Sequence, residues 1–173
     1  IKRIISPIYK AEINEKKIVR DLLGIALAEK KNQKWLDVGC GSKPFSDVFK
    51  NHEYKGIDIE RYGYGQATKY ADKFYNGVKI PYEDSSFDGV LCTQVLGVAD
   101  EPEILISEIH RVLKKDSCLI LSTPFMYKVV ERPYDYRRYT NYGIEKILNN
   151  KNFEVINSVK CLSGLQTISM ILS

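Results

Sequence analysis

The chain has 173 residues, with 26 Lys and Arg against 22 Asp and Glu and a formal net charge of +4. That length fits one domain with a real core, expected over 1–173 and incomplete at its C-terminus. The charges are interspersed, so nothing demands a nucleic-acid partner, and no apolar run is long enough to span a membrane. The four cysteines form no C-x-x-C pair; they give no metal pattern and read as buried thiols of a reducing cytoplasm.

Residues 12–29 read as a helix, with Ile18, Leu22, Ile25 and Ala26 at helical spacing. A strand over 34–38, a short helix near 45–51 and a strand over 54–59 follow. After a loop rich in Gly and Tyr come strands near 69–72 and over 87–93. A helix over 101–114 and a strand over 117–122 come next, then a helix over 141–150 and a strand over 153–160. Leu165, Ile168, Ile171 and Leu172 read as one last helix. Strands alternating with helices predict an α/β fold with a parallel sheet. In the 101–114 helix, Asp100 and Glu103 have capping-box spacing and Pro102 sits in the first turn. Leu105, Ile109, Val112 and Leu113 would form its buried stripe. Ile144, Ile147 and Leu148 would do the same for the helix over 141–150.

The most informative stretch is Trp35-Leu36-Asp37-Val38-Gly39-Cys40-Gly41-Ser42-Lys43-Pro44-Phe45. An apolar strand ends in an acid, and two glycines let the backbone turn sharply beside a ligand. A dinucleotide site wants a third small residue where this chain has Pro44. An acid also suits a ligand ammonium, whereas beside pyrophosphate it would repel. The string Asp-x-Gly-x-Gly resembles motif I of the class I S-adenosylmethionine-dependent methyltransferases. A second strand, Tyr54 to Ile59, carries Asp58 about 20 residues after the first glycine, the place of a ribose-binding acid. Ile80-Pro81-Tyr82, Ser86-Phe87-Asp88 and Glu108-Ile109-His110-Arg111-Val112-Leu113 follow in the family's order. The resemblance runs from about Trp35 to Phe153. It implies a Rossmann-like three-layer sandwich, a mostly parallel sheet of six or seven strands, and S-adenosyl-L-methionine as cofactor. Asp37, Gly39, Gly41, Asp58, Asn76 and Gln94 would bind that cofactor.

Thr123-Pro124-Phe125 and Arg132-Pro133-Tyr134-Asp135-Tyr136-Arg137-Arg138-Tyr139-Thr140 resemble a narrower group of bacterial methyltransferases associated with surface polysaccharide or other small molecules. The chain departs from the family at Asn76, where an acid is usual, at Gly97, where a histidine is usual, and at Asp116, where the turn is usually glycine-rich. Asp tolerates a left-handed turn better than most residues.

The segment 127–142 follows the fifth expected strand, so it can cover the sheet's carboxyl edge. Its candidates for catalysis are Glu131, Asp135 and Tyr139. Tyr134 supplies a flat wall, and Arg137 and Arg138 supply forked donors for an anionic or sugar-linked acceptor. The segment can equally be a structural loop in which Asp135 pairs with an arginine. Tyr62, Tyr64, Tyr70 and Tyr75 can wall the adenine side. His52 and His110 read as solvated. No metal ligand set is expected.

The expected activity is methyl transfer to a small molecule. The alternatives are a cofactor-binding protein without transfer activity, motivated by Gly97, and a nucleic-acid methyltransferase, motivated by the net charge. The usual class I sheet inserts a seventh strand between the fifth and sixth. With none visible after residue 160, strand 153–160 is expected to pair directly with strand 117–122 or to lie at an exposed edge. That edge would invite another chain, hence a homo-oligomer.

Overall fold

The computed structural model describes residues 2–9, 12–60, 67–125, 127–129 and 131–160. Its elements run β1 (Lys2–Tyr9), α1 (Glu12–Leu27), β2 (Lys34–Val38), β3 (Glu53–Ile59), β4 (Lys73–Tyr75), β5 (Phe87–Thr93), α2 (Pro102–Val112), β6 (Leu113–Ser122), α3 (Asn141–Asn150) and β7 (Phe153–Lys160). Short 3-10 turns occupy Ser46–Phe49 and Ala67–Tyr70. The helix expected near 45–51 is therefore a single 3-10 turn, and the strand expected near 69–72 lies instead at β4.

The strands form one sheet in the order β4-β3-β2-β5-β6-β1-β7, and the paired neighbours run parallel. This corrects the expectation for the sheet's far side. Strand β1 lies between β6 and β7, with Arg3 opposite Cys118 on one side and Glu154 on the other. β7 thus does not pair with β6 directly; among the described residues it is the outermost strand, the edge position that was the other expectation. The expected helix over 165–172 lies outside the described residues, as does Cys161.

Alternation along the strands divides the core. Leu36, Val38, Val90, Cys92, Leu119 and Leu121 face one way, onto Leu105, Ile106, Ile109 and Val112 of α2 and Ile144 and Leu148 of α3. Trp35, Leu91 and Ile120 face the other way, onto Val19, Leu22, Leu23 and Ala26 of α1. Period-two strands between helices buried on two faces give three layers. The buried stripe of α1 is rotated from the expected one: Ile25 is 67% exposed, and Val19 and Leu23 are buried in its place.

Helix α2 begins at an N-cap Glu101, one residue after Asp100; the Glu101 side chain makes no cap bond, and Pro102 sits in the first turn as expected. Arg111 near its end does more for the site. It donates to the carbonyls of Ile80 and Tyr82 and to Glu108, while Glu108 accepts from Ile80 N. This network holds the loop between β4 and β5. α3 has a working N-cap: Thr140 accepts from Gly143 N at 3.0 Å. Asp116 adopts φ +57°, the left-handed turn expected of it.

Candidate cofactor and active site

The loop after β2 is shaped by backbone conformation. Gly39 and Gly41 have φ of +72° and +50°, a region costly for L-residues with a Cβ. A Cβ on Gly39 would stand 2.2 Å from Val95 Cγ2, so no larger residue fits. Gly39 N and Cys40 N both donate to Ile57 O on β3, at 2.9 and 3.1 Å. Asp58 completes the clamp: its carboxylate accepts from Gly41 N at 2.9 Å and from Ile59 N at 2.8 Å.

A cavity of about 370 Å³ opens where β2, β3, β4 and β5 end. Gly39, Gly41 and Asp58 line it on one side and Tyr75, Asn76 and Gly77 on another. Gln94 and Val95 face it from the end of β5, and Glu131 reaches it from the segment after β6. A crevice at the strand carboxyl ends is where open α/β sheets bind ligands. Four acids line it (Asp58, Glu60, Asp100 and Glu131), and among the described residues no Lys, Arg or His does. That lining repels a pyrophosphate and suits a ligand with a sulfonium and an ammonium, such as S-adenosylmethionine.

Five of the six expected cofactor residues are therefore brought together: Gly39, Gly41, Asp58, Asn76 and Gln94. Asn76 also shapes its own turn, its Oδ1 accepting from Val78 N and Lys79 N at 3.0 Å each. Asp37 is different. It is 1% exposed and does not line the cavity. Tyr54 OH donates to its Oδ2, while its Oδ1 has no partner among the described residues. Burial pushes its pKa up to about 7, against the Tyr54 bond and Lys43, and with a smaller push from Asp58. Lys43 itself pairs with Asp72, which also accepts from Gly56 N.

Among the described residues of the segment after β6, only Glu131 lines the cavity. Asp135, the second catalytic candidate, forms a forked ion pair with Arg138, and its side chain is 4% exposed. Tyr139 packs against the core, its OH buried and unbonded among the described residues; burial raises its pKa. Arg137 donates to the carbonyls of Ala99 and Asp100, at 2.7 and 3.2 Å. Tyr134 sits edge-on to Tyr136, with ring centroids 6.3 Å apart. Tyr136 N and Arg137 N donate to Gly97 O, and a Cβ on Gly97 would stand 3.0 Å from Arg137 O. The glycine that departs from the family is thus the point where this segment docks. Tyr75 lines the cavity and Tyr70 is exposed, while Tyr62 and Tyr64 lie outside the described residues. His110 packs edge-on against Phe153, and His52 accepts from Gln33 N.

Sequence reasoning missed Glu15 and Tyr54. Glu15 on α1 is 4% exposed and bonds the side chains of Gln94 and Ser122. Its signal is its place four residues before Val19, in line with the buried stripe.

The family described as "Methyltransferase domain" matches residues 36–121. A sterol 24-C-methyltransferase of Gibberella zeae is 37% identical over 98 residues, covering 49% of this chain and 26% of that protein. Two O-methyltransferases are 28% identical. One, of Aspergillus sclerotiorum, is matched over 64% of this chain and 47% of its own length. The other, of Aspergillus nomiae, is matched over 89% and 79%. The chain thus spans between about a quarter and a half of the first two. Among solved structures, a putative methyltransferase of Bacillus halodurans superposes with a TM-score of 0.63 at 22% identity, over 78% of this chain and 68% of that one. An S-adenosylmethionine-dependent methyltransferase of Aquifex aeolicus gives 0.58 at 18% identity, over 79% and 78%. The stretch 36–121 matches a methyltransferase domain, and the fold is shared with solved methyltransferases, one of them dependent on S-adenosylmethionine.

Proposed function

We propose that the protein is an enzyme that transfers a methyl group from S-adenosylmethionine to a small-molecule acceptor in the reducing cytoplasm. The observation that carries this reading is the acid-lined cavity at the strand ends, whose size is within the range of about 300–1,000 Å³ usual for small-molecule sites. In this reading Asp58 accepts from the ribose hydroxyls, the Gly39–Gly41 backbone lies against the amino-acid end, and Asn76 meets the adenine edge. The cofactor supplies an activated methyl on sulfur. The residues supply orientation, which is worth roughly 7–11 kcal/mol of a displacement barrier.

A general base adds about 10²–10⁴-fold. Glu131 is our candidate, because it lines the cavity whereas Asp135 is held by Arg138 and Tyr139 is buried. It would take the proton from an acceptor hydroxyl or amine. Tyr134, Arg137 and Arg138 act in this reading by holding the segment that carries Glu131. The arginines on which an anionic or sugar-linked acceptor was expected are already bonded to the protein, and the lining acids favour a neutral or cationic one. Methyl-labelled S-adenosylmethionine incubated with the full chain and a panel of hydroxylated and amine acceptors tests this. The expected result is label in an acceptor, lost in Glu131→Gln. Tight S-adenosylhomocysteine binding with no transfer to any acceptor would favour the cofactor-binding alternative. Absence of heat and of thermal shift with either cofactor form would end the proposal.

A further inference from the structure

Gln94 is the first residue past β5. It has φ +61°, a conformation uncommon for a residue with a long side chain, and it lines the cavity. Such a backbone persists only when its surroundings hold it. Here the hold comes from a triangle of bonds to the buried Glu15 and Ser122. Gln94 N donates to Ser122 O at 2.9 Å. The side-chain Nε2 donates to Glu15 Oε1 at 2.7 Å and to Ser122 Oγ at 3.0 Å. Ser122 Oγ in turn donates to Glu15 Oε1 at 2.5 Å.

Hydrogen-bond bookkeeping leaves one arrangement. A carboxylate only accepts, and a serine hydroxyl has one hydrogen. Ser122 spends that hydrogen on Glu15, so toward Gln94 it too can only accept. Both neighbours therefore demand the amide NH₂ of Gln94, and the amide cannot flip. Its carbonyl oxygen is left on the opposite side. That oxygen accepts no bond from the described residues and is not fully buried, on a residue that lines the cavity.

We infer that Glu15, through Ser122 and Gln94, is a positioning residue that presents the Gln94 carbonyl oxygen to the cationic end of the cofactor. This rests on the proposed function above. A carbonyl dipole with its negative end in the cavity favours a positive ligand group, and both the sulfonium and the ammonium of S-adenosylmethionine qualify. A helix with no residue in the cavity lining thereby sets the polarity of the site. Glu15→Gln would remove the constraint, because the new amide can donate or accept. The Gln94 amide could then turn its NH₂ into the cavity.

The test is calorimetry on the full chain with three ligands. S-adenosylmethionine has both positive groups, S-adenosylhomocysteine only the ammonium, and 5′-methylthioadenosine neither. In Glu15→Gln the expected result is a loss of S-adenosylmethionine affinity of about tenfold, with 5′-methylthioadenosine changed less than about twofold. S-adenosylhomocysteine will follow the first ligand if the oxygen meets the ammonium, and the second if it meets the sulfonium. Gln94→Asn, a shorter residue at home at positive φ, reads the same contrast if Glu15→Gln does not fold. An equal loss for all three ligands means general damage to the pocket and overturns the inference. So does an unchanged affinity for S-adenosylmethionine. Failure of the unsubstituted chain to bind any of the three overturns the proposed function itself, and this inference with it.

Discussion

The loop after β2 and the segment after β6 both carry the residue types expected at a transferase site, but they differ in what those groups are free to do. Around the loop, the glycines hold left-handed turns, Asp58 clamps them, and backbone and carboxylate line the cavity. In the segment, Asp135 and Arg138 are bonded to each other, and Arg137 to the backbone of residues 99–100. Among its described residues only Glu131 reaches the cavity. A motif residue is available for ligand chemistry only if the bonds it makes within the fold still leave it lining the cavity.

The contrast can be broken most forcefully at Gly39. In Gly39→Ala the new methyl meets Val95, and the backbone holds an L-residue at positive φ. Overpacking costs about 1–3 kcal/mol and the left-handed conformation roughly 1–2 kcal/mol more. The expected outcome is a lower melting temperature together with loss of cofactor binding. A variant that melts and binds like the parent would mean that the loop is not held as described.

Asp135→Ala probes the other region. It removes the partner of Arg138, leaving a donor that is only partly exposed, at a cost of about 1–3 kcal/mol in stability. Chemical denaturation should register that loss, while cofactor affinity stays within about twofold of the parent. A variant of unchanged stability that still fails to transfer methyl would return Asp135 to a direct catalytic role.

A smaller effect sharpens the account of Asp37. Its folded pKa is raised to about 7, first by burial, whereas an unfolded aspartate titrates near about 3.9. The folded chain therefore binds the proton more tightly. Asp37 thus makes stability fall as pH rises from about 4 to about 7, with no further change above. Asp37→Asn removes this contribution, so the variant should lose less stability than the parent across that window. Equal slopes in denaturant titrations between about pH 4 and 8 would contradict the assignment.

The central strands and the cofactor loop were legible because local chemistry encodes them. Alternation writes β2, β5 and β6, and glycines write the turn at 39–41. β1 was not legible. Pro7 lies inside it, and a proline argues against a strand paired on both sides. The sheet accommodates it with a register shift between Ile4 and Pro7 against β6. The rotated stripe of α1 was misread because Ile25 has the right spacing but the wrong side, which only packing on Trp35 and Ile120 decides. The bonded state of Arg137 was hidden for a related reason, since its acceptors belong to a distant loop. Glu15 was overlooked because a charge in a helix reads as solvated until its buried partners on β6 and after β5 are known.

The most direct test of the contrast is calorimetric titration of S-adenosylhomocysteine into the parent chain, Asp58→Ala and Asp135→Ala. Losing a charge-assisted acceptor should weaken binding to Asp58→Ala by about 1–3 kcal/mol, with Asp135→Ala close to the parent. Unchanged binding in Asp58→Ala, or a loss confined to Asp135→Ala, would place the cofactor site in the wrong region and contradict the account.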